Sequence, residues 1–123
     1  MRTRTVIGER RTAYRIQYPV AERPKLTIGN EHYDVVELSE SGLRFVAREA
    51  CSVAIGDQFS GTLGFRDDAR VTIQGRLLRL ERGELVASLS VGPGFKRIVA
   101  EQGYLLAKYP ELLRSRQRSR KQP

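Results

Sequence analysis

The spacing of apolar residues changes once along this chain, and that change most limits how the chain can fold. Between residues 14 and 91, apolar residues recur at every second position in short stretches, as in Tyr14, Ile16 and Tyr18. That is the spacing of half-buried β-strands. After Pro93 the spacing follows steps of three and four, which is that of one face of an α-helix. The members of this stripe are Phe95, Ile98, Val99, Gln102, Leu105, Leu106, Tyr109 and Leu113. The chain is therefore predicted to form a sheet-based body followed by one helix.

The strand candidates are short and are separated by turn residues. Pro19 predicts either the end of the first strand or an edge position. Short strands at this spacing favour an antiparallel barrel or sandwich. The helix is predicted over 95–109, with Pro110 ending or kinking it. The predicted strands are 14–20, 25–28, 32–38, 43–47, 58–65, 69–80 and 84–91.

The length and composition fit one small domain. A chain of 123 residues with 40% hydrophobic content can bury a single core. No apolar run approaches the roughly 18 residues that cross a bilayer, and Met1 to Gly8 lacks the apolar run of a signal peptide. We therefore expect a cytoplasmic protein. The single cysteine, Cys51, excludes an internal disulfide and is predicted to be a packing residue.

The formal charge of +8 is concentrated at the two ends of the chain. Residues 1–25 carry seven basic and two acidic side chains, and residues 114–123 carry five basic and no acidic ones. The segment between them carries ten basic and twelve acidic side chains, so the three parts sum as +5 − 2 + 5 = +8. This pattern suits an anionic partner, which leaves nucleic acid, a membrane surface, a nucleotide or an acidic protein open. We expect 1–9 to be a flexible arm and 114–123 to be a disordered tail that contacts a partner or only aids solubility.

The residue types that usually carry catalysis are poorly grouped here, so we expect no enzyme, no metal and no cofactor. His32 is the only histidine, and a metal there would need carboxylate partners such as Asp34 or Glu31. These residues belong to one strand, whose side chains alternate between faces, which is a poor arrangement for chelation. Ser39 and Ser41 have no evident activating base. The segment 92–94 lacks the lysine of a phosphate-binding loop.

Two short elements are better candidates for a binding site. Arg10, Arg11 and Arg15 offer planar forks that can bind phosphates or the O6/N7 edge of guanine. The alternative is a solvated basic arm. In the second element, Glu37 to Leu43, a predicted strand ends at a serine and is followed by a turn that contains a glycine. Gly42 either adopts positive φ or allows the backbone to approach a ligand closely. The alternative is a plain strand connection.

The order and separation of these elements resemble the PilZ family, whose signature is R-x-x-x-R followed by [D/N]-x-S-x-x-G. The segment 11–15 matches the first part, and 37–42 matches the second except that Glu37 replaces Asp or Asn. Glu9 and Arg10 precede the motif and Leu43 follows it, as in many family members. The resemblance spans residues 9–113.

The resemblance implies a six-stranded antiparallel β-barrel with a C-terminal helix packed on it, over residues 10–113. The barrel covers about 14–92 and the helix about 95–109. It also implies binding of cyclic di-GMP, often as an intercalated dimer. By position, Arg11 and Arg15 would grip guanine edges and phosphates, and Arg10 would add a contact. Ser39 and Gly42 would form the floor of the site, and Glu37 would accept hydrogen bonds from guanine. Arg79 would stack on a guanine, and the alternative is that it is an outward-facing barrel residue without this role.

The predicted function is therefore that of a bacterial cyclic di-GMP receptor. The arginine arm is expected to order on ligand binding, so that arm, ligand and barrel present a surface to an effector protein. The receptor is expected to be a monomer or a ligand-dependent dimer, and Glu37 predicts retained but weaker binding. The alternatives are an adaptor without nucleotide binding and a nucleic-acid binder. Few aromatic residues are placed for base stacking, which disfavours the latter.

Overall fold

The computed structural model of the protein describes residues 15–48 and 51–112. Within these ranges a three-residue 3₁₀ turn, Val20–Glu22, follows the first strand. No helix in this part of the chain is long and apolar enough to span a membrane. The elements are β1 Ile16–Gln17, β2 Lys25–Ile28, β3 Glu31–Leu38, β4 Gly42–Val46, β5 Gln58–Gly64, β6 Arg70–Glu81, β7 Glu84–Val91 and α1 Phe95–Lys108.

All strand pairings are antiparallel, and six of the strands close into a barrel. The sheet order is β1-β3-β2-β5-β6-β7-β4, and β4 also pairs with β3. That last pairing closes β2 to β7 into a ring, while β1 adds two residues beside β3. The predicted six-stranded antiparallel barrel with a C-terminal helix is confirmed.

The core forms because alternate residues of each strand face the barrel interior. Leu26, Val35, Leu63 and Ile73 are fully buried there. The Phe45 ring also lies inside and meets Tyr33 edge to face, with ring centroids 5.0 Å apart. Because these interior positions are apolar and the positions between them face outward, apolar residues recur at every second position in the sequence.

Two β-bulges interrupt the alternation at positions that matter for the outer surface. The register shifts between Val35 and Glu37 against β4, and between Leu77 and Arg79 against β7. Since Val35 and Leu77 are fully buried, strict alternation would turn Glu37 and Arg79 inward. One extra residue in each strand instead turns both side chains to the outside.

The first strand is shorter than predicted. The prediction covered 14–20, whereas the strand spans Ile16–Gln17 and Tyr14 lies outside the described residues. The Tyr18 amide still donates to the Val36 carbonyl oxygen at 2.9 Å. Pro19 has no amide hydrogen and a φ of −58°, so the ladder ends there and the 3₁₀ turn begins.

The helix has nearly the predicted limits, and its buried face matches the predicted apolar stripe in part. The stripe includes Ile98 and Leu105, which are buried. It also includes Phe95 and Val99, which are 48% and 43% exposed. Glu101 lies outside the stripe and is nevertheless buried, with its carboxylate bound by Tyr18 and Arg66, because a buried charge must be hydrogen-bonded. Sequence periodicity ranks a glutamate as a surface residue and so missed the burial of Glu101.

Candidate functional site

A groove of about 630 Å³ lies on the outer surface of the barrel, across β3, β4, β7 and the end of β6. Five of the seven residues that the sequence singled out line it: Arg15, Glu37, Ser39, Gly42 and Arg79. They come from three separate parts of the chain: position 15, the segment 37–42 and position 79. Arg10 and Arg11, the other two predicted residues, lie outside the described residues.

Strand register explains why these distant positions meet. Glu37 on β3 is paired with Arg44 on β4, and Arg44 is paired with Val86 on β7. Val86 in turn is paired with Arg79 on β6. The four residues form one row across four strands, and the two bulges place both ends of this row on the outer face. Arg79 is thus both outward-facing and part of the groove, so the two alternatives considered for it are compatible.

Arg44 is a groove residue that sequence reasoning missed. Its Nε lies 3.6 Å from Glu37 Oε1, and its Nη1 lies 3.2 Å from Glu81 Oε1. The other two arginines of the groove also form ion pairs with glutamates. Arg15 Nη1 lies 3.3 Å from Glu37 Oε2, and Arg79 Nε donates to Glu81 Oε2 at 2.7 Å. The chain of contacts therefore runs Arg15–Glu37–Arg44–Glu81–Arg79. The alternation of Leu43, Arg44 and Phe45 was the one signal in the sequence that turned Arg44 outward.

The positive charge of the groove is offset by carboxylates that line it or lie beside it. Hydrogen bonds from Arg79 and then Arg44 lower the pKa of Glu81, which therefore stays ionised. Glu84 adds a second carboxylate 3.6 Å from Arg44 Nη1. The charged residues that line the groove are three arginines (15, 44 and 79) and two glutamates (37 and 40), which sum to 3 − 2 = +1. Glu81 and Glu84 lie beside the groove, and with them the local sum is 3 − 4 = −1. An anion bound here must break ion pairs or draw on basic residues from elsewhere in the chain.

The turn at the floor of the groove is built around the Ser39 hydroxyl. The Ser39 amide donates to the Gly42 carbonyl oxygen at 2.9 Å, and the Ser41 amide donates to Ser39 Oγ at 3.4 Å. The φ angle of Gly42 is not positive. A Cβ atom on Gly42 would instead lie 3.3 Å from Ser39 Oγ. Positive φ is therefore not the role of Gly42, and its lack of a side chain leaves room for the Ser39 hydroxyl.

The segment that carries Arg15 is fixed to α1 at two points. Tyr18 Oη donates to the buried Glu101 Oε1 at 2.8 Å, and Arg66 Nη1 lies 2.6 Å from Glu101 Oε2. Burial, followed by the charge of Glu101, raises the pKa of Tyr18, so the phenol keeps its proton. These contacts hold the chain three residues after Arg15.

The second point at which this segment is fixed to α1 is Glu22, at the end of the 3₁₀ turn. Its Oε2 accepts hydrogen bonds from Lys108 Nζ and Tyr109 Oη, each at 2.8 Å, and Tyr104 Oη donates to Oε1 at 3.2 Å. The hydrogen bond from Lys108, followed by that from Tyr109, lowers the pKa of Glu22. The short segment 15–22 thus joins the groove to the C-terminal half of α1.

The other residues weighed for chemistry lie away from the groove. His32 is exposed on β3, with Nδ1 3.0 Å from Thr27 Oγ1. Cys51 is half-buried against the core, as predicted. Across 15–48 and 51–112, no cluster of three histidine, cysteine or acidic side chains is arranged to hold a metal.

Comparison with known proteins gives one match to a family. The family model described as the PilZ domain matches residues 9–109, which is most of the chain. Among solved structures, the crystal structure of the uncharacterized Legionella protein Lpg0364 matches with 13% sequence identity and a TM-score of 0.48. That match covers 82% of this chain and 97% of the Legionella chain. A search of curated proteins gives no significant match.

Proposed function

The chain belongs to the PilZ domain family, a family of cyclic di-GMP-binding adaptors, and from that premise we propose that it is a cyclic di-GMP receptor whose ligand lies in the groove described above. PilZ domains are typically receptor or adaptor domains rather than enzymes. We place the receptor in the bacterial cytoplasm, where this second messenger acts.

The observation that supports this proposal most directly is the convergence of the motif residues. Arg15 from the first motif and Ser39 and Gly42 from the second line one groove, although 24 and 27 positions separate them from Arg15. Arg79 joins them from β6 only because a bulge turns it outward. A groove of about 630 Å³ falls within the range of about 300–1,000 Å³ that is usual for small-molecule sites.

Each groove residue has a role that its chemistry suits. The Arg15 guanidinium, which is 61% exposed, is available to form a bidentate contact with a phosphate or a guanine edge. Arg79 presents a planar cation that can stack on a purine. Ser39 Oγ can donate its hydroxyl proton to the ligand while it accepts from the Ser41 amide. Glu37 accepts hydrogen bonds from guanine N1 and N2 once it leaves Arg15.

The basic residues before residue 15 complete the site in this proposal. The groove together with the carboxylates beside it sums to −1, so it does not by itself neutralise a ligand with two phosphates. Residues 1–14 contain four arginines and one acidic residue, Glu9. Arg10 and Arg11 bind the phosphates, and the arm becomes ordered against the barrel. The arm, the ligand and the barrel then form the surface that an effector protein recognises.

Isothermal titration calorimetry with cyclic di-GMP tests the proposal. The wild-type protein is compared with Arg11→Ala and Arg15→Ala, and with Arg70→Ala as the matched control. Arg70 is an exposed arginine at the other end of β6, outside the groove. We expect binding by the wild type and the control, and a loss of at least about tenfold in each motif variant, since each loses a charge-assisted contact. Equal heats from all four proteins would contradict the proposal.

A further inference from the structure

We propose that Glu81 weakens the binding of cyclic di-GMP to the groove by holding two of its arginines, and so raises the ligand concentration at which the site fills. This inference rests on the function proposed above. It concerns a residue outside both sequence motifs, on the hairpin that joins β6 to β7.

The geometry puts one carboxylate against two guanidiniums of the groove. Glu81 Oε2 accepts from Arg79 Nε at 2.7 Å, and Glu81 Oε1 lies 3.2 Å from Arg44 Nη1. Both arginines line the groove, whereas Glu81 lies beside it. An anion that approaches Arg79 or Arg44 therefore meets a cation whose charge is already balanced, and it also meets the charge of Glu81 itself.

The hairpin has a favourable turn that does not involve the Glu81 charge. The loop is Arg82-Gly83, with φ values of 52° and 81°, which suits a tight two-residue hairpin turn. Glu81 and Glu84 are paired directly across this hairpin, and like charges in that position disfavour the pairing. Removing the charge of Glu81 is therefore expected to leave the fold intact, which makes the residue suitable for a binding experiment.

Glu81 differs from the other carboxylates of the groove. Glu37 occupies a motif position and contacts the ligand directly in the proposed function, whereas Glu84 lies 3.6 Å from Arg44 Nη1 and forms no ion pair with Arg79. Glu81 is 43% exposed and Arg79 is 52% exposed, so solvent moderates their attraction. Exposed ion pairs of this kind are worth about two- to fivefold in an equilibrium constant.

The test compares Glu81→Gln with Asp34→Asn in the full chain. Asp34 forms an exposed ion pair with Lys25 outside the groove, so its substitution changes the net charge equally without touching Arg44 or Arg79. Cyclic di-GMP affinity is measured at low and at high salt, and the unfolding midpoint confirms that each variant is folded. We expect Glu81→Gln to bind about two- to fivefold more tightly at low salt, a smaller gain at high salt, and no change for Asp34→Asn.

The outcomes separate this inference from the function on which it rests. Binding by the wild type together with equal or weaker binding by Glu81→Gln would overturn the inference alone, because the carboxylate would then only position Arg79. An equal gain in Asp34→Asn would also overturn it, since net charge would then be the cause. No binding by any of the three proteins would refute the receptor function itself.

Discussion

Glu37 Oε2 lies 3.3 Å from Arg15 Nη1, which ties the one departure from the family motif to a residue that matches it. Glu37 also reaches Arg44, with Oε1 3.6 Å from Nε. The longer side chain thus spans two arginines across the groove. A guanine that needs this carboxylate must first draw it away from both.

Replacing Glu37 with aspartate is therefore expected to strengthen binding. The shorter side chain cannot span Arg15 and Arg44 as glutamate does, and the carboxylate takes the position that the family motif favours. We expect cyclic di-GMP to bind up to about tenfold more tightly, because a good bidentate base contact is worth about 1–3 kcal/mol. Glu40→Asp, at a residue that also lines the groove, is the matched control in the same titration. Weaker binding by Glu37→Asp would show that the glutamate is itself the adapted ligand contact.

Arg79 is expected to contribute through its planar group as well as its charge. Arg79→Ala should weaken binding by about five- to tenfold, in keeping with a cation stacked on an aromatic ring at a partly exposed site. Arg79→Lys keeps the charge but not the plane, so its affinity should lie between those of the wild type and Arg79→Ala. The affinities are measured by titration with Arg70→Ala as control. Full affinity in Arg79→Lys would mean that charge alone acts here.

Gly42 is expected to tolerate no side chain without a cost to binding. A Cβ atom would lie 3.3 Å from Ser39 Oγ and 3.9 Å from the Ala87 carbonyl oxygen, so Gly42→Ala must move the serine hydroxyl by a few tenths of an ångström. We expect weaker ligand binding with little change in thermal stability. Gly103→Ala is the control, because a Cβ there meets no atom within 4 Å. Unchanged affinity in Gly42→Ala would show that the position of the Ser39 hydroxyl does not matter for ligand binding.

Acid is expected to weaken the attachment of α1 to the segment that carries Arg15. The hydrogen bond from Lys108 lowers the pKa of Glu22 below its ordinary value of 4.5. A lowered folded-state pKa means that the stabilisation is fully present above pH 4.5 and is lost as pH falls through the folded-state value. The free energy of unfolding of the wild type should therefore exceed that of Glu22→Gln at pH 7, and the gap should close in acid. A gap that stays constant from pH 7 to pH 2 would contradict this role.

Much of the fold was predictable because one face of each strand is buried. The alternation around Val35 and Leu63 reports an interior position directly, and the change of period after Pro93 identifies the helix. The predicted length of the first strand was wrong, because Pro19 ends the ladder after Ile16–Gln17. The buried face of α1 was predicted only in part, because the buried Glu101 does not follow an apolar pattern.

The site was only partly predictable, because its geometry depends on register. The motif residues were identified from their order and spacing, and Arg15, Ser39 and Gly42 indeed line one groove. Arg44 and Glu81 were missed, since nothing local shows that they face each other across strands. The bulges that turn Glu37 and Arg79 outward arise from pairing between strands, and alternation alone predicts the opposite face.

The central claim is that cyclic di-GMP lies between the arginine segment and the Ser39–Gly42 turn, and an NMR titration of the ¹⁵N-labelled chain tests it most directly. With excess ligand, we predict large amide shifts in Arg15, in Glu37 to Gly42 and in the preceding Arg10 and Arg11. The amides of Gly29 and Asn30, in the β2–β3 turn outside the groove, should hardly move. Stationary signals in the two motif segments, or shifts confined to other parts of the barrel, would contradict the claim.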